Sequence, residues 1–93
     1  MLPVPQQEDG SVVYFVRAGD FIKIGFSKKW RGRLSHLQTG SPLPLELLHA
    51  EPGDVAKEQA LHRHFKHLHS QGEWFRAAAD LLNYIEKLKG YRH

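Results

Sequence analysis

Apolar and polar residues alternate in blocks along the chain, and each block predicts one element of a small domain. β-branched and aromatic residues run from 12 to 17 and from 21 to 26, and the Ala18-Gly19-Asp20 segment between them is typical of a tight turn. These runs predict a β-hairpin. With Ala18 and Gly19 as a two-residue loop, Tyr14 lies directly opposite Lys23 and their side chains share one face.

The rest of the chain shows helical spacing interrupted by turn residues. Ser27 caps a predicted helix with apolar residues at helical intervals, namely Trp30, Leu34 and Leu37. A third strand is predicted over 45–50, before a Glu51-Pro52-Gly53 turn. Asp54 caps a second predicted helix that runs to about 69 and ends at Ser70-Gln71-Gly72, and a last helix is predicted over 77–88. Their inward apolar residues are Leu61, Phe65 and Leu68, then Leu81, Leu82, Tyr84, Ile85 and Leu88.

This order of elements predicts an α/β chain of the α+β type. The 93 residues leave room for one domain, which we place over 11–93. Residues 1–10 hold two prolines and show no periodicity, so we expect a loose N-terminal arm there.

Composition excludes several classes of protein. The chain has no cysteine, which excludes disulfide frameworks, thiolate nucleophiles and sulfur-ligated zinc. Its longest uninterrupted apolar run, 12–16, has five residues, against about 20 for a membrane span. We therefore expect a cytoplasmic protein with no membrane partner. Lysine and arginine number 13 against 10 acidic residues, and this net charge of +3 weakly favours a polyanionic partner.

One carboxylate lies where the core pattern does not require it. At 100° per residue, Glu58 falls within about 20° of Phe65 and about 60° of Leu61, so it lies on the buried stripe of its helix. Such a carboxylate is costly to bury unless a positive group or several donors meet it. A structural pairing near the helix N-terminus is one explanation, and a functional site is the other.

Basic residues are concentrated in the second predicted strand and the start of the helix that follows it. The stretch 23–33 has no acidic residue and carries Lys23, Lys28, Lys29, Arg31 and Arg33, interleaved with Phe26 and Trp30. It surrounds a predicted helix N-terminus, whose free N–H groups favour an anion. An ordinary solvated helix face is the alternative to a phosphate-binding face.

The second predicted helix is rich in histidines, which suggests a metal site as another possible function. They are His62, His64, His67 and His69. His62 and His69 are two helical turns apart, roughly 10 Å, which is too far for one tetrahedral ion without other ligands. His64 and His67 are spaced for weak chelation, but solvated surface residues fit better.

Four motifs in order resemble the GIY-YIG nuclease superfamily over residues 12–88. The name-giving tripeptides correspond to Val12-Val13-Tyr14 and Lys23-Ile24-Gly25, and Arg33-Leu34 follows at the spacing of excision-repair members. A small phage and bacterial branch is similar in its Lys-Ile-Gly second motif. The same branch shares Leu-Gln-Thr-Gly-Ser-Pro over 37–42, Glu58-Gln-Ala-Leu-His62 and Gly72-Glu73-Trp74-Phe75.

The resemblance implies a fold, an activity and a site. The fold is a small three-stranded antiparallel sheet flanked by helices. The activity is metal-dependent hydrolysis of phosphodiester bonds in DNA, with Tyr14 and Arg33 catalytic and Glu58 holding one Mg²⁺ or Mn²⁺ ion. Val12 replaces the first glycine of the family pattern, and Lys23 replaces the second tyrosine. His36 lies one residue short of a further base found in some members.

We therefore expect a DNA endonuclease with single-stranded or structured DNA among its substrates. The catalytic candidates are Tyr14, Lys23, Arg33, His36 and Glu58, and the DNA-binding candidates are Lys28, Lys29, Trp30, Arg31, His62 and Trp74. A module that binds nucleic acid without cutting it is the alternative, and a histidine-ligated metal protein is a third. We expect a monomer or homodimer, with a partner protein that supplies targeting.

Overall fold

The computed structural model of the protein describes residues 11–28 and 44–90. Within them the chain forms five strands in one antiparallel sheet: β1 (Val12–Ala18), β2 (Phe21–Ser27), β3 (Glu46–Pro52), β4 (His69–Gln71) and β5 (Trp74–Arg76). The strand order is β3-β1-β2-β5-β4. Helices α1 (Val55–His64) and α2 (Ala79–Leu88) pack on one face of this sheet. The α+β class is as predicted.

The first hairpin forms where it is predicted, but the predicted register is wrong. Its loop lies one residue later than expected, at Gly19 and Asp20, and Gly19 has a φ of 61°. Tight hairpin turns of the primed types require this positive φ at their first position, which glycine adopts without strain. Tyr14 therefore pairs with Gly25 and not with Lys23. Because the register moves by two residues, Tyr14 and Lys23 still share a face, at diagonal positions.

The main core lies between the sheet and the two helices. Every second residue of β1 and β2 enters it, and the predicted inward residues of the helices meet them there. Its buried members are Val13, Phe15, Ile22, Ile24, Leu61, Phe65, Leu68, Phe75, Leu81 and Ile85. The opposite face of β1 is buried as well, at Tyr14, Val16 and Ala18. Neither described helix is long and apolar enough to cross a bilayer.

The chain between the two helices differs from its prediction. The second predicted helix ends at His64 instead of continuing to about 69, and a 3₁₀ turn, Lys66–Leu68, follows it. Next comes a hairpin of β4 and β5, turning at Gly72, where φ is 57°. Phe75 of this hairpin is fully buried, so its burial in the core holds β5 against β2. The expected three-stranded sheet therefore has five strands.

Two predicted segments lie outside the described residues. They are the N-terminal arm over 1–10 and the helix that would carry Trp30, Leu34 and Leu37.

A carboxylate joins β3 to the start of α1. Glu51 accepts a hydrogen bond from Nε2 of His49 at 3.0 Å and forms an ion pair with Lys57 of α1. Burial raises the pKa of Glu51, but the bonds from Lys57 and His49 outweigh it, so the pKa lies below its ordinary value. The pair therefore stabilises the folded state when Glu51 is ionised.

We expect Glu51→Gln to lower the free energy of unfolding at pH 7 by about 1 kcal/mol, because the charge-assisted bonds are lost. A carboxyl with a lowered folded-state pKa stabilises above its unfolded-state pKa, and the contribution disappears as pH falls through the folded value. Denaturant unfolding should therefore show a smaller difference near pH 3. Glu46→Gln, at an exposed position of β3, is the control. An equal difference at both pH values would contradict the assignment.

Candidate functional site

The elements of the site meet at the backbone of Ile24 in β2. β5 pairs with β2 over 21–23, so β2 needs other partners on that side from Ile24 onward. The N–H of Ile24 donates to the carbonyl of Glu73 at 3.0 Å, and its carbonyl accepts from Nε2 of His62 at 2.8 Å. One residue of β2 therefore anchors both the β4–β5 turn and helix α1.

Helix α1 presents Glu58 and His62 to β2. Asp54 caps this helix as predicted and accepts the N–H of Lys57 at 3.1 Å. Nε2 of His62 donates this bond, since a carbonyl only accepts, and the ring packs edge-on against Phe75 with centroids 4.9 Å apart. One turn earlier, Oε2 of Glu58 lies 4.0 Å from that Nε2. Glu58 is 5% exposed, which confirms the predicted burial of this carboxylate.

A second carboxylate lies beside Glu58. Burial raises the pKa of the Glu58 carboxyl, and the charge of Glu73 and a hydrogen bond between the two side chains raise it further, while nearby His62 acts in the opposite direction. Two carboxyl groups this close favour a shared proton or a bound cation. Such a pair can hold a proton or bind a cation.

Lys23 joins this group from the face of β2 that it shares with Tyr14. Its side chain is only 17% exposed, and its Nζ lies 3.9 Å from Oε1 of Glu73. The ammonium also lies 5.9 Å from the centroid of the Trp74 ring, a cation–π distance. The described structure thus brings Lys23 and Glu58 together through Glu73.

Tyr14 is fixed by its close approach to Gly25. The tyrosine is fully buried, and a Cβ placed on Gly25 would lie 2.4 Å from Cζ and 2.5 Å from the hydroxyl oxygen of Tyr14. The ring therefore crosses β2 directly over the glycine, and only glycine leaves it room. This contact gives a packing reason for the glycine of the Lys-Ile-Gly motif.

The remaining site candidates lie in different places. Lys28 is exposed just beyond β2, and Trp74 is half-buried beneath Lys23. Contact of Lys28, His62 and Trp74 with nucleic acid stays a prediction. Five candidates lie outside the described residues: Lys29, Trp30, Arg31, Arg33 and His36.

The other histidines of this region each have a protein partner. The ring of His67 bonds to Oδ2 of Asp80 at 2.7 Å, and that of His69 bonds to the carbonyl of Gly72 at 2.9 Å. The ring of His64 packs edge-on against Phe65 with centroids 4.6 Å apart. Within residues 11–28 and 44–90, no three histidine or acidic side chains are arranged around one metal position.

Comparison with known families identifies the domain. The model of the T5orf172 domain matches residues 11–89. The chain belongs to the T5orf172 domain family. This domain occurs in phage and bacterial nuclease-like proteins, which indicates a nucleic-acid-related role. No curated protein and no solved structure matched the chain. The assignment to the GIY-YIG superfamily stays a prediction.

The T5orf172 domain brings one residue into the site that the sequence analysis does not place there. Glu73 lies in the Gly72-Glu73-Trp74-Phe75 motif, but the motif alone gives it no role. Its contacts with Lys23, Ile24 and Glu58 depend on the β4–β5 hairpin. The motif is the only signal of Glu73 in the sequence. It cannot be interpreted there because the sequence does not predict the β4–β5 hairpin.

In this T5orf172 domain, Glu58→Gln is expected to raise the free energy of unfolding at pH 7 by about 0.5–2 kcal/mol. Glutamine keeps the volume and removes the charge that burial and Glu73 oppose. A carboxyl with a raised folded-state pKa stabilises fully below its unfolded-state pKa, and this is lost as pH rises through the folded value. The gain should therefore be absent near pH 4. Denaturant unfolding measures it.

The control for that experiment is Glu86→Gln on α2, whose side chain is 50% exposed and should matter little. Lower stability of Glu58→Gln at pH 7 would contradict the cost assigned to the buried charge.

Gly25→Ala is expected to lower the free energy of unfolding by about 1–3 kcal/mol, because its Cβ overpacks against the Tyr14 ring. The cost should shrink in a Tyr14→Leu background, where the ring end is absent. A double-mutant cycle by denaturant unfolding measures the coupling. Equal costs in both backgrounds would show that the ring is not the obstacle.

Proposed function

We propose that this T5orf172 domain is a metal-dependent endonuclease that hydrolyses phosphodiester bonds in DNA, including single-stranded or structured DNA. The observation that carries the proposal is the buried carboxylate of Glu58, which stability alone disfavours and which lies beside Glu73 and, through it, Lys23. The occurrence of the family in nuclease-like proteins supports the proposal. The basic stretch over 23–33 suits a phosphate backbone.

One Mg²⁺ or Mn²⁺ ion suits the donor set of the site. Mg²⁺ keeps several waters and binds through one or two carboxylates together with substrate phosphates, so the carboxylate of Glu58 is a sufficient protein ligand. The raised pKa of Glu58 supports this, because neighbouring carboxyl groups retain a proton where a cation would balance their charge. When bound, the ion supplies Lewis-acid neutralisation of charge on the phosphate.

The chain's own side chains take the remaining roles in the proposal. Lys23 offers a fixed ammonium to a phosphate oxygen, in the place of the second tyrosine that the resemblance to the GIY-YIG superfamily implies. The resemblance gives Tyr14 the role of orienting the attacking water, and because its side chain is fully buried, this role requires that DNA binding uncover the hydroxyl. Arg33 clamps the scissile phosphate with its planar guanidinium, and His36 is the candidate to accept the proton.

A second candidate function is binding of nucleic acid without cleavage. Two points favour it: Lys23 stands where the resemblance to the GIY-YIG superfamily implies a tyrosine, and Tyr14 is closed off from solvent. In that case exposed Lys28 would contact the backbone and Trp74 would stack on a base.

The proposal includes the partner and the setting of the domain. DNA is the proposed partner, and a monomer or homodimer in the cytoplasm would act on it. A small domain over about 11–93 makes few base contacts, and we propose that a partner protein supplies targeting.

We expect the purified protein to cleave DNA in Mg²⁺ or Mn²⁺ and a chelator to abolish cleavage. Glu58→Ala and Arg33→Ala should each lower the rate at least about 100-fold, because each removes charge stabilisation of the transition state. The control Glu86→Ala should retain the wild-type rate. Gel assays on single-stranded, duplex and branched DNA measure the rates.

Two outcomes would overturn the endonuclease proposal. Undiminished cleavage by both variants would remove Glu58 and Arg33 from the site. Salt-dependent DNA binding with no product in either metal would favour the binding module instead.

A further inference from the structure

Lys23 is a mostly buried lysine whose ion pair is too long to be a hydrogen bond. Its side chain is 17% exposed, and among the described residues Glu73 is the only carboxylate within 4.0 Å of its Nζ. The separation of 3.9 Å is longer than a hydrogen bond, which ends at about 3.2 Å. Glu73 therefore attracts the ammonium without engaging its N–H donors in short bonds.

Glu73 is held at a fixed place relative to Lys23. Its carbonyl accepts the N–H of Ile24, the next residue after Lys23, and it follows Gly72, whose φ of 57° makes the turn. Trp74 pairs with Lys23 between β2 and β5, and its ring lies 5.9 Å from the ammonium. The ammonium thus lies near a carboxylate and an aromatic ring, which two consecutive residues of the β4–β5 hairpin carry.

We propose that Glu73 is a positioning residue that holds the ammonium of Lys23 for contact with a phosphodiester group of nucleic acid. The inference rests on the proposed function. The charge of Glu73 restricts a side chain with four rotatable bonds, which would otherwise lose entropy on binding phosphate. The N–H donors that Glu73 does not engage are the ones that phosphate oxygens would take.

Glu73 also fixes Lys23 relative to Glu58. Its carboxylate lies beside both the ammonium and the buried carboxyl, so it holds the ammonium at a defined place relative to Glu58. Removing the charge of Glu73 has opposite effects on the binding and on the cleavage of DNA. The backbone phosphates are repelled less, which favours binding, but Lys23 is no longer held, which slows the chemical step.

Because binding and the chemical step change in opposite directions, steady-state kinetics can test the proposal. Glu73→Gln should lower kcat about tenfold and leave KM unchanged or lower, whereas a simple loss of affinity would raise KM. Because Glu73 acts through Lys23, the same substitution should cost nothing further in a Lys23→Met background. Glu86→Gln, an exposed acid of α2, is the matched control and should keep both constants.

Two kinetic results would overturn the inference. One is an unchanged kcat for Glu73→Gln. The other is a tenfold loss that persists in the Lys23→Met background, since Glu73 would then act without the lysine. Thermal unfolding of each variant checks that the protein remains folded during the assay.

A separate readout applies if the wild-type protein cleaves no DNA, in which case the proposed function fails by itself. In protein labelled with ¹³C-lysine and kept in chelator, the Cε resonance of Lys23, assigned through Lys23→Met, should shift on addition of a short oligodeoxynucleotide. The shift should fall at least twofold in Glu73→Gln. No shift in the wild-type protein, or an equal shift in the variant, would overturn the positioning role.

Discussion

The two hydrogen bonds of the Ile24 backbone are the constraint on which the site depends. One ties helix α1 to β2 through His62, and the other ties the β4–β5 turn to β2 through the carbonyl of Glu73. The side chains with candidate chemistry, Glu58 and Glu73, are each carried by an element that one of these bonds fixes. The geometry of the two carboxylates is therefore set by main-chain groups of Ile24 in a central strand. The side chain of Ile24 lies in the core, which keeps this part of the strand rigid.

Charge burial at the site opposes stability, and the core compensates for it. Glu58 is almost fully buried beside a second carboxylate, and Lys23 is mostly buried without a short ion pair. Single-domain proteins have a small net stability, so such groups persist only where the rest of the fold offsets them. The Glu51–Lys57 pair shows the contrast, because there burial is matched by direct bonds.

Periodic elements could be predicted from the sequence, and elements fixed by long-range contacts could not. The burial of Glu58 follows from helical spacing, since the positions of Leu61 and Phe65 define the inner stripe. The register of the first hairpin depends on which residue takes the positive φ, and alternation alone does not decide this. Strands of three residues, such as β4 and β5, are too short to show a period. Glu73 therefore had no place in the predicted site.

The contact between Tyr14 and Gly25 has an evolutionary consequence. The ring at one position and any side chain at the other would compete for the same volume, so the two positions do not vary independently. A larger residue at the glycine position lowers stability unless the tyrosine is shortened as well. We therefore expect residues at these two positions to change together among relatives, because their side chains share one volume.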